Sequence, residues 1–188
     1  MKKKNILVTG AQGYIGSVLL PKLKKKYNIF AYDSGYFKNC LLVKYKDPVK
    51  VKSLNLEDMK LKTFENIYAV IHLGAISNDP SGKLNPKLTL KTNFNQTIRI
   101  ASLAKKAGVK RFLFSSSCIM YGSRTSKKVS EKSPLKPNTV YAKSKVLAEK
   151  KLRSMADKNF SPIYIRNGTV YGYSPRMRFD TVLNDFIL

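Results

Sequence analysis

The chain has 188 residues, 43% of them hydrophobic, enough for one ordinary domain with its own core. No apolar run approaches the ~18 residues of a membrane span, and Met1-Lys2-Lys3-Lys4 leads into a strand and a glycine loop, not an apolar signal segment, so the expected compartment is the cytoplasm. A formal charge of +25 raises nucleic acid as a partner, but the lysines are spread over nearly every predicted helix and loop, with neither a zinc-finger spacing nor an RNP-like motif. The charge reads as a lysine-biased solvated surface that also draws in anionic substrates, with no nucleic acid and no membrane as partner.

Asn5 to Val8 predicts a buried parallel strand, and Ile15, Val18, Leu19, Leu20 and Leu23 predict the apolar face of the helix behind it. Between them stand Gly10, Gly13 and Gly16, a G-x-x-G-x-x-G variant of the dinucleotide fingerprint. Such glycines allow a tight strand-to-helix turn and a backbone bare enough for a pyrophosphate to approach the unpaired N–H groups of the helix start. A second strand, Ile29 to Tyr32, ends in Asp33, 17 residues past Gly16. A carboxylate there accepts both ribose hydroxyls of an adenosine and repels a 2′-phosphate, which predicts NAD as the cofactor and disfavours NADP.

The segment Ser34 to Pro48 reads as a loop with a short helix, Val49 to Leu54 as a third strand, Lys60 to Phe64 as a short helix and Ile67 to Leu73 as a fourth strand. His72, the single histidine, closes that strand and reads as structural, since one histidine so placed assembles neither a metal site nor a catalytic triad; no metal is expected. Asn78-Asp79-Pro80-Ser81-Gly82 is turn chemistry, in a loop at the carboxyl edge of the sheet where ligands bind in this architecture. Leu88 to Ala107 predicts a long amphipathic helix closed by Gly108, and Arg111 to Phe114 a fifth strand running into Ser115-Ser116-Ser117. After a polar loop over Gly122 to Asn138, Thr139 caps a helix from Val140 to Lys158, and Ile163 to Ile165 makes a sixth strand. Cys40 and Cys118 lie in dissimilar contexts without a C-x-x-C, as free thiols do. The alternation predicts an α/β fold: a Rossmann-type doubly wound parallel sheet with helices on both faces.

Tyr141 and Lys145 stand at i and i+4, on one face of the predicted helix. A phenol is a poor base, and bringing its pKa from about 10 to about 7 takes about 4 kcal/mol at 1.36 kcal/mol per unit. A neighbouring ammonium together with a positive nicotinamide ring supplies stabilisation of that kind in a closed site. Ser117, at the end of a strand, is placed to donate a hydrogen bond to the same substrate oxygen.

The chain resembles the extended short-chain dehydrogenase/reductase family, the NAD-dependent nucleotide-sugar epimerases and dehydratases. The resemblance rests on VTGAQGYIGS (8 to 17), YDS around Asp33, HLGA (72 to 75), FSSSCIMYG (114 to 122), YAKSK (141 to 145) and IRNGTVYG (165 to 172). It implies that Tyr14 and Ile15 border the pyrophosphate, that Asp33 holds the adenosine ribose and that Asn55 and Leu56 flank the adenine. Leu73, Gly74 and Ala75 would line the cofactor, Thr92 would approach it from the long helix, Lys145 would hold the nicotinamide ribose, and Gly168 would lie where the backbone closes over the nicotinamide. Ser117 and Tyr141 would address the sugar hydroxyl.

The implied activity is epimerisation of a nucleotide sugar at C4, through a 4-keto intermediate with hydride passing to and from NAD. The alternatives are a nucleotide-sugar dehydrogenase or reductase of the same family and a non-catalytic NAD-binding fragment. Three departures bear on this. Cys118 and Ile119 replace the acidic pair that 4,6-dehydratases use, which disfavours dehydration; Asn55 replaces an adenine-side acid. Thr169 stands where many relatives place a substrate-binding asparagine, leaving nucleotide and sugar open. Family members continue well beyond the last residue here, so residues 1–175 are expected to form the NAD-binding domain and 176–188 the start of a truncated substrate lobe. Pairing through the helices over 88–107 and 140–158 leaves a homodimer open by analogy alone.

Overall fold

Alternating apolar residues in the strands put one set of side chains on each side of a sheet that is covered on both faces. In the computed structural model, which describes residues 2–43, 48–77, 79–122 and 128–186, that sheet has six strands. They are β1 (Asn5–Thr9), β2 (Asn28–Asp33), β3 (Val51–Ser53), β4 (Ala69–His72), β5 (Arg111–Ser117) and β6 (Ser161–Asn167). All pairs are parallel, in the order β3-β2-β1-β4-β5-β6. This is the doubly wound Rossmann order, and its reversal between β1 and β4 opens a crevice at the carboxyl ends of those strands.

The helices are α1 (Tyr14–Lys24), α2 (Asp79–Leu84), α3 (Pro86–Leu90), α4 (Thr97–Lys106), α5 (Val140–Ser154) and α6 (Val182–Asp185). On one face of the sheet Leu7, Val70, Phe112 and Phe114 pack with Ile100 and Ala104 of α4 and Ala148 and Leu152 of α5. On the other, Ile6, Val8 and Ala31 pack with Leu20 of α1. Beyond α1, that second face carries Ile165 on β6 at 43% exposure. Among the described residues no helix is long and apolar enough to cross a membrane, and both cysteines are free thiols.

Several boundaries differ from the sequence expectation, each for a local reason. The residues expected as a turn include a short helix, α2, because Pro80 sits in its first turn, where a missing N–H costs nothing; Asn78 lies outside the described residues. The long helix begins two residues early, at Pro86, because the Asn85 side chain accepts the Leu88 N–H at 2.9 Å. It is then interrupted by one π turn, Lys91–Gln96, before α4. The next helix ends at Ser154, not Lys158: the Asp157 carboxylate accepts the N–H groups of Asn159 and Phe160, both at 2.8 Å, and turns the chain into β6. No helix is found among residues 34–43, the described start of the expected loop, and residues 44–47, 123–127 and 187–188 lie outside the described residues. The expected caps hold: Thr139 accepts the Ala142 N–H at 3.1 Å, and Gly108 follows α4 at φ +81°.

Candidate functional site

The turn from β1 into α1 is tight enough that two of its glycines have no substitute. Gly10 has φ +67°, and a Cβ there would meet the Gly74 nitrogen at 2.6 Å; one on Gly16 would meet the Gly10 and Ala11 carbonyl oxygens at 2.5 and 2.6 Å. A Cβ on Gly13 would come only to 3.3 Å of the Gly10 oxygen, so this glycine leaves the surface bare more than it relieves a clash. No side chain caps α1 and no acid stands in its first turn, a helix start suited to an anion. At the end of β2 the Asp33 carboxylate is fixed by the N–H groups of Gln12 at 3.0 Å and Gly35 at 2.9 Å.

The loop leaving β4 forms the opposite wall, and buried polar side chains hold it. The Thr9 hydroxyl lies 2.7 Å from His72 Nδ1 and accepts the Gly74 N–H at 3.3 Å; His72 Nε2 lies 3.0 Å from the Thr97 hydroxyl, which donates to Asn93 O at 2.8 Å. Asn93, fully buried in the π turn, completes the chain by accepting the Ile76 N–H at 2.8 Å and donating to the Ile76 carbonyl at 2.9 Å. Burial, seconded by the charge of Lys145, lowers His72 to about 3, so the ring is neutral and structural, as its place in the sequence suggested. Asn93 and Thr97 carried no sequence signal beyond a polar residue on an apolar helical face.

At the far end, Ser117 closes β5 and Tyr141 lies in the first turn of α5, beside the Thr139 cap that also donates to Asp79 Oδ1 at 2.6 Å. The Ser117 and Tyr141 side chains line the same cavity, and the Ser117 hydroxyl accepts the Ile119 N–H at 3.3 Å. Lys145 is buried, donates to the Ser115 carbonyl at 2.8 Å, and lies 5.6 Å from the centre of the Tyr141 ring. Burial lowers its ammonium to about 8 against the opposing charge of Glu149. Glu149 is itself held by Arg166, whose Nη2 lies 2.6 Å from Oε2 and whose Nη1 donates to the Tyr121 hydroxyl at 2.7 Å, tying α5 to β6.

The Tyr141 phenol is pulled in both directions by its surroundings. Burial raises it above its ordinary value, the Ser117 hydroxyl and the charge of Arg178 lower it, and Asp79 and Cys118 raise it. The protein alone therefore does not bring this phenol down towards neutrality.

These walls enclose one cavity of about 1000 Å³. Every residue singled out from the sequence lines it: Gly10, Gly13, Tyr14, Ile15 and Gly16 on the turn, Asp33, Asn55 and Leu56 at one end, Leu73, Gly74, Ala75 and Thr92 along the wall, and Ser117, Tyr141, Lys145 and Gly168 at the other end. Among the described residues, the buried polar side-chain atoms without a partner are Gln96 Oε1, Ser116 Oγ and Arg176 Nε, and all three residues line this cavity. A polar ligand there would meet donors and acceptors that the fold leaves unmet.

Sequence reasoning missed the segment after β6. It folds back on α1: Tyr14 donates to the Gly172 carbonyl, the Ser174 hydroxyl donates to Tyr14 O at 2.8 Å, and Asn184 accepts the Gly172 N–H at 3.1 Å. This brings two arginines to the cavity wall. Arg176 lies 4.0 Å over the Phe37 ring, and Arg178 is paired with Asp180. Arginine in a chain whose cations are mostly lysine was the available signal, because a planar fork serves fixed pairing better than a flexible ammonium does.

A family model described as the NAD dependent epimerase/dehydratase family matches residues 6–187. UDP-glucose 4-epimerase 4 of Oryza sativa subsp. japonica is 27% identical over 92% of this chain and 51% of its own length. UDP-glucose 4-epimerase of Lactobacillus helveticus is 32% identical over 81% of this chain and 47% of its own. Relatives named as a UDP-glucuronic acid decarboxylase and a dTDP-D-glucose 4,6-dehydratase match at 27%. Among solved structures, MoeE5 in complex with UDP-glucose and NAD superposes with a TM-score of 0.82 at 28% identity, over 97% of this chain and 60% of that one. The chain spans about half the length of the curated relatives it matches.

Proposed function

The chain belongs to the NAD-dependent epimerase/dehydratase family, and from that premise we propose that it binds NAD and epimerises a nucleotide sugar, at C4, through a 4-keto sugar. The reading is carried by one observation: a single cavity has the glycine turn and Asp33 at one end and Ser117, Tyr141 and Lys145 at the other. The first turn of α1, with Tyr14 and Ile15, would hold the pyrophosphate, Asp33 the adenosine ribose, Asn55 and Leu56 the adenine, and Lys145 the nicotinamide ribose. Leu73, Gly74, Ala75, Thr92 and Gly168 would bound the cofactor along its length. The bare helix start and the unmet polar atoms of the wall suit such a group.

Bound NAD would supply a hydride acceptor and donor for the sugar carbon. The chain's own residues would manage the proton. Tyr141 as phenolate takes it from the C4 hydroxyl, and Ser117 donates a hydrogen bond to the same oxygen. Lys145, with one N–H on the Ser115 carbonyl, offers the ribose another and adds positive charge beside the phenol. Returning the proton from Tyr141 after the keto sugar presents its other face gives the epimer. Cys118 and Ile119 offer no acid and base for eliminating water, which favours epimerisation over dehydration.

The test is a panel of nucleotide sugars followed by NMR for product stereochemistry and by absorbance for NADH. Interconversion of one epimer pair without NADH accumulation is expected, and Tyr141→Phe should slow it by about 10²–10⁴-fold with NAD affinity kept. Sustained NADH formation would indicate a dehydrogenase, and bound NAD with no sugar converted would reduce the chain to a cofactor-binding module.

A further inference from the structure

We propose that Asp79 is a positioning residue for Tyr141: through the Thr139 hydroxyl it fixes the first turn of α5, and with it the place of the phenol in the cavity. The proposal rests on Tyr141 serving as the base in the reading above. Asp79 and Tyr141 line the same cavity, and the tie between them is made of direct contacts. The Thr139 hydroxyl donates to Asp79 Oδ1 at 2.6 Å and accepts the Ala142 N–H at 3.1 Å. One oxygen atom thus joins the carboxylate to the turn that carries the tyrosine.

The first turn of a helix is its least protected part, because its N–H groups have no partner within the helix. A base placed there needs an anchor from outside, and α2 supplies it at two points. Besides the bond to Thr139, α2 lies flush against the stem of the tyrosine: a Cβ built on the buried Gly82 would sit 3.4 Å from Tyr141 Cβ and 3.7 Å from Thr89 Cγ2. Thr89 is itself fully buried, and its hydroxyl reaches the carbonyl oxygens of Gly82 and Asn85 at 3.2 and 2.9 Å. The Asn85 side chain in turn caps α3. Asp79 is therefore presented by a short element that is locked at both ends.

The charge of Asp79 does not serve the phenolate; it opposes it, raising the phenol. What a carboxylate offers in this place is the strength of its bond. An ionised acceptor shortens O–H···O⁻ to about 2.5–2.7 Å and makes it roughly twice as strong as a neutral pair, and the Thr139 bond falls in that range. A hydroxyl that donates so firmly also becomes a better acceptor for the Ala142 N–H, so the two bonds support each other. Thr139 was expected to cap this helix; that an acid 60 residues earlier holds the cap is a matter of the fold.

The test has one arm without turnover and one with it. Amide hydrogen exchange is followed by NMR on the full chain without ligand, and steady-state kinetics use the nucleotide sugar that the panel above identifies. Asp79→Ala should speed exchange at Ala142 about tenfold while the amides of β4 and α4 stay unchanged. It should also lower kcat about 10–100-fold, with KM and NAD affinity kept within about twofold. Asp79→Asn keeps a neutral acceptor and should bring the exchange rise down to about threefold, with most of kcat recovered. Adding Asp79→Ala to Thr139→Val should cost nothing beyond Thr139→Val alone, since both cut one link.

Unchanged exchange at Ala142 in Asp79→Ala overturns the proposal, and so does a further loss in the double variant. An equal loss of kcat in Asp79→Asn and Asp79→Ala overturns it too, by making the carboxylate a reacting group, as does a matching loss of NAD affinity, which general loosening would produce. If the natural chain converts no sugar, the reading of the function falls and the exchange arm alone decides the role of Asp79. If Asp79→Ala fails to fold, the threefold rise in Asp79→Asn decides.

Discussion

His72 and Lys145 are both buried bases held below their ordinary values, and the protein is affected differently by each. His72 is neutral when folded, with a value of about 3, while the unfolded ring takes a proton below its ordinary 6.5. The unfolded chain thus binds the extra proton between those values, and stability present above pH 6.5 is lost as the pH falls, by up to about 1.4 kcal/mol per unit. Urea unfolding between pH 6.5 and 4.5 should show this slope, and His72→Gln should flatten it; parallel slopes would mean that the ring is not the titrating group.

Lys145 at about 8 has the same sign in a higher pH range: its charged form too is disfavoured on folding, yet it is the form present at pH 7. Stability should therefore rise as the pH climbs from about 8 towards 10.5. At pH 7, Lys145→Met should be about 1–3 kcal/mol more stable than the natural chain while binding NAD more weakly. A stable variant with unchanged affinity would remove Lys145 from the cofactor site. The common place of Ser117, Tyr141 and Lys145 on one cavity was legible because it follows from local spacing on a strand end and a helix face. Arg178 was not: its partner Ser77 is 101 residues away, and no periodicity reports such a contact.

At the scale of elements, the glycine turn and the π turn do related work, each bringing backbone close to where a ligand would lie. Gly16→Ala would drive a Cβ to 2.5 Å from a carbonyl oxygen. It should cost about 1–3 kcal/mol by overpacking and abolish NAD binding; an alanine variant that still binds would show that the turn has more room than its geometry states. Asn93→Ala strips two hydrogen bonds from Ile76 in a buried setting and should cost about 2–4 kcal/mol in urea unfolding. A loss below about 0.5 kcal/mol would mean that the β4 loop is held elsewhere. The strands and the two long helices were readable from apolar alternation and caps. The π turn was not, because an extra residue in one helical turn leaves the apolar pattern nearly intact and follows from a side chain bonding across to another loop. Asp79 and Pro80 were read as a turn because the same residues begin helices.

For the molecule as a whole, a charge of +25 on 188 residues sets repulsion against compaction. Raising the salt concentration should therefore raise the urea midpoint, and a flat or falling midpoint would show the lysines to be compensated by pairs. The parallel order of the sheet followed from strand and helix alternation, and with it the place of the crevice, which is why residues far apart in the chain could be expected on one cavity. What alternation did not report was the return of the segment after β6 across α1, a matter of individual hydrogen bonds. The proposed function requires an adenine dinucleotide to lie against the glycine turn with Asp33 at its ribose. Calorimetric titration tests this: one-to-one binding of NAD to the folded chain is expected, at least about tenfold tighter than NADP because a 2′-phosphate would face the Asp33 carboxylate. No heat of binding with NAD, from protein whose circular dichroism shows the fold intact, would contradict it.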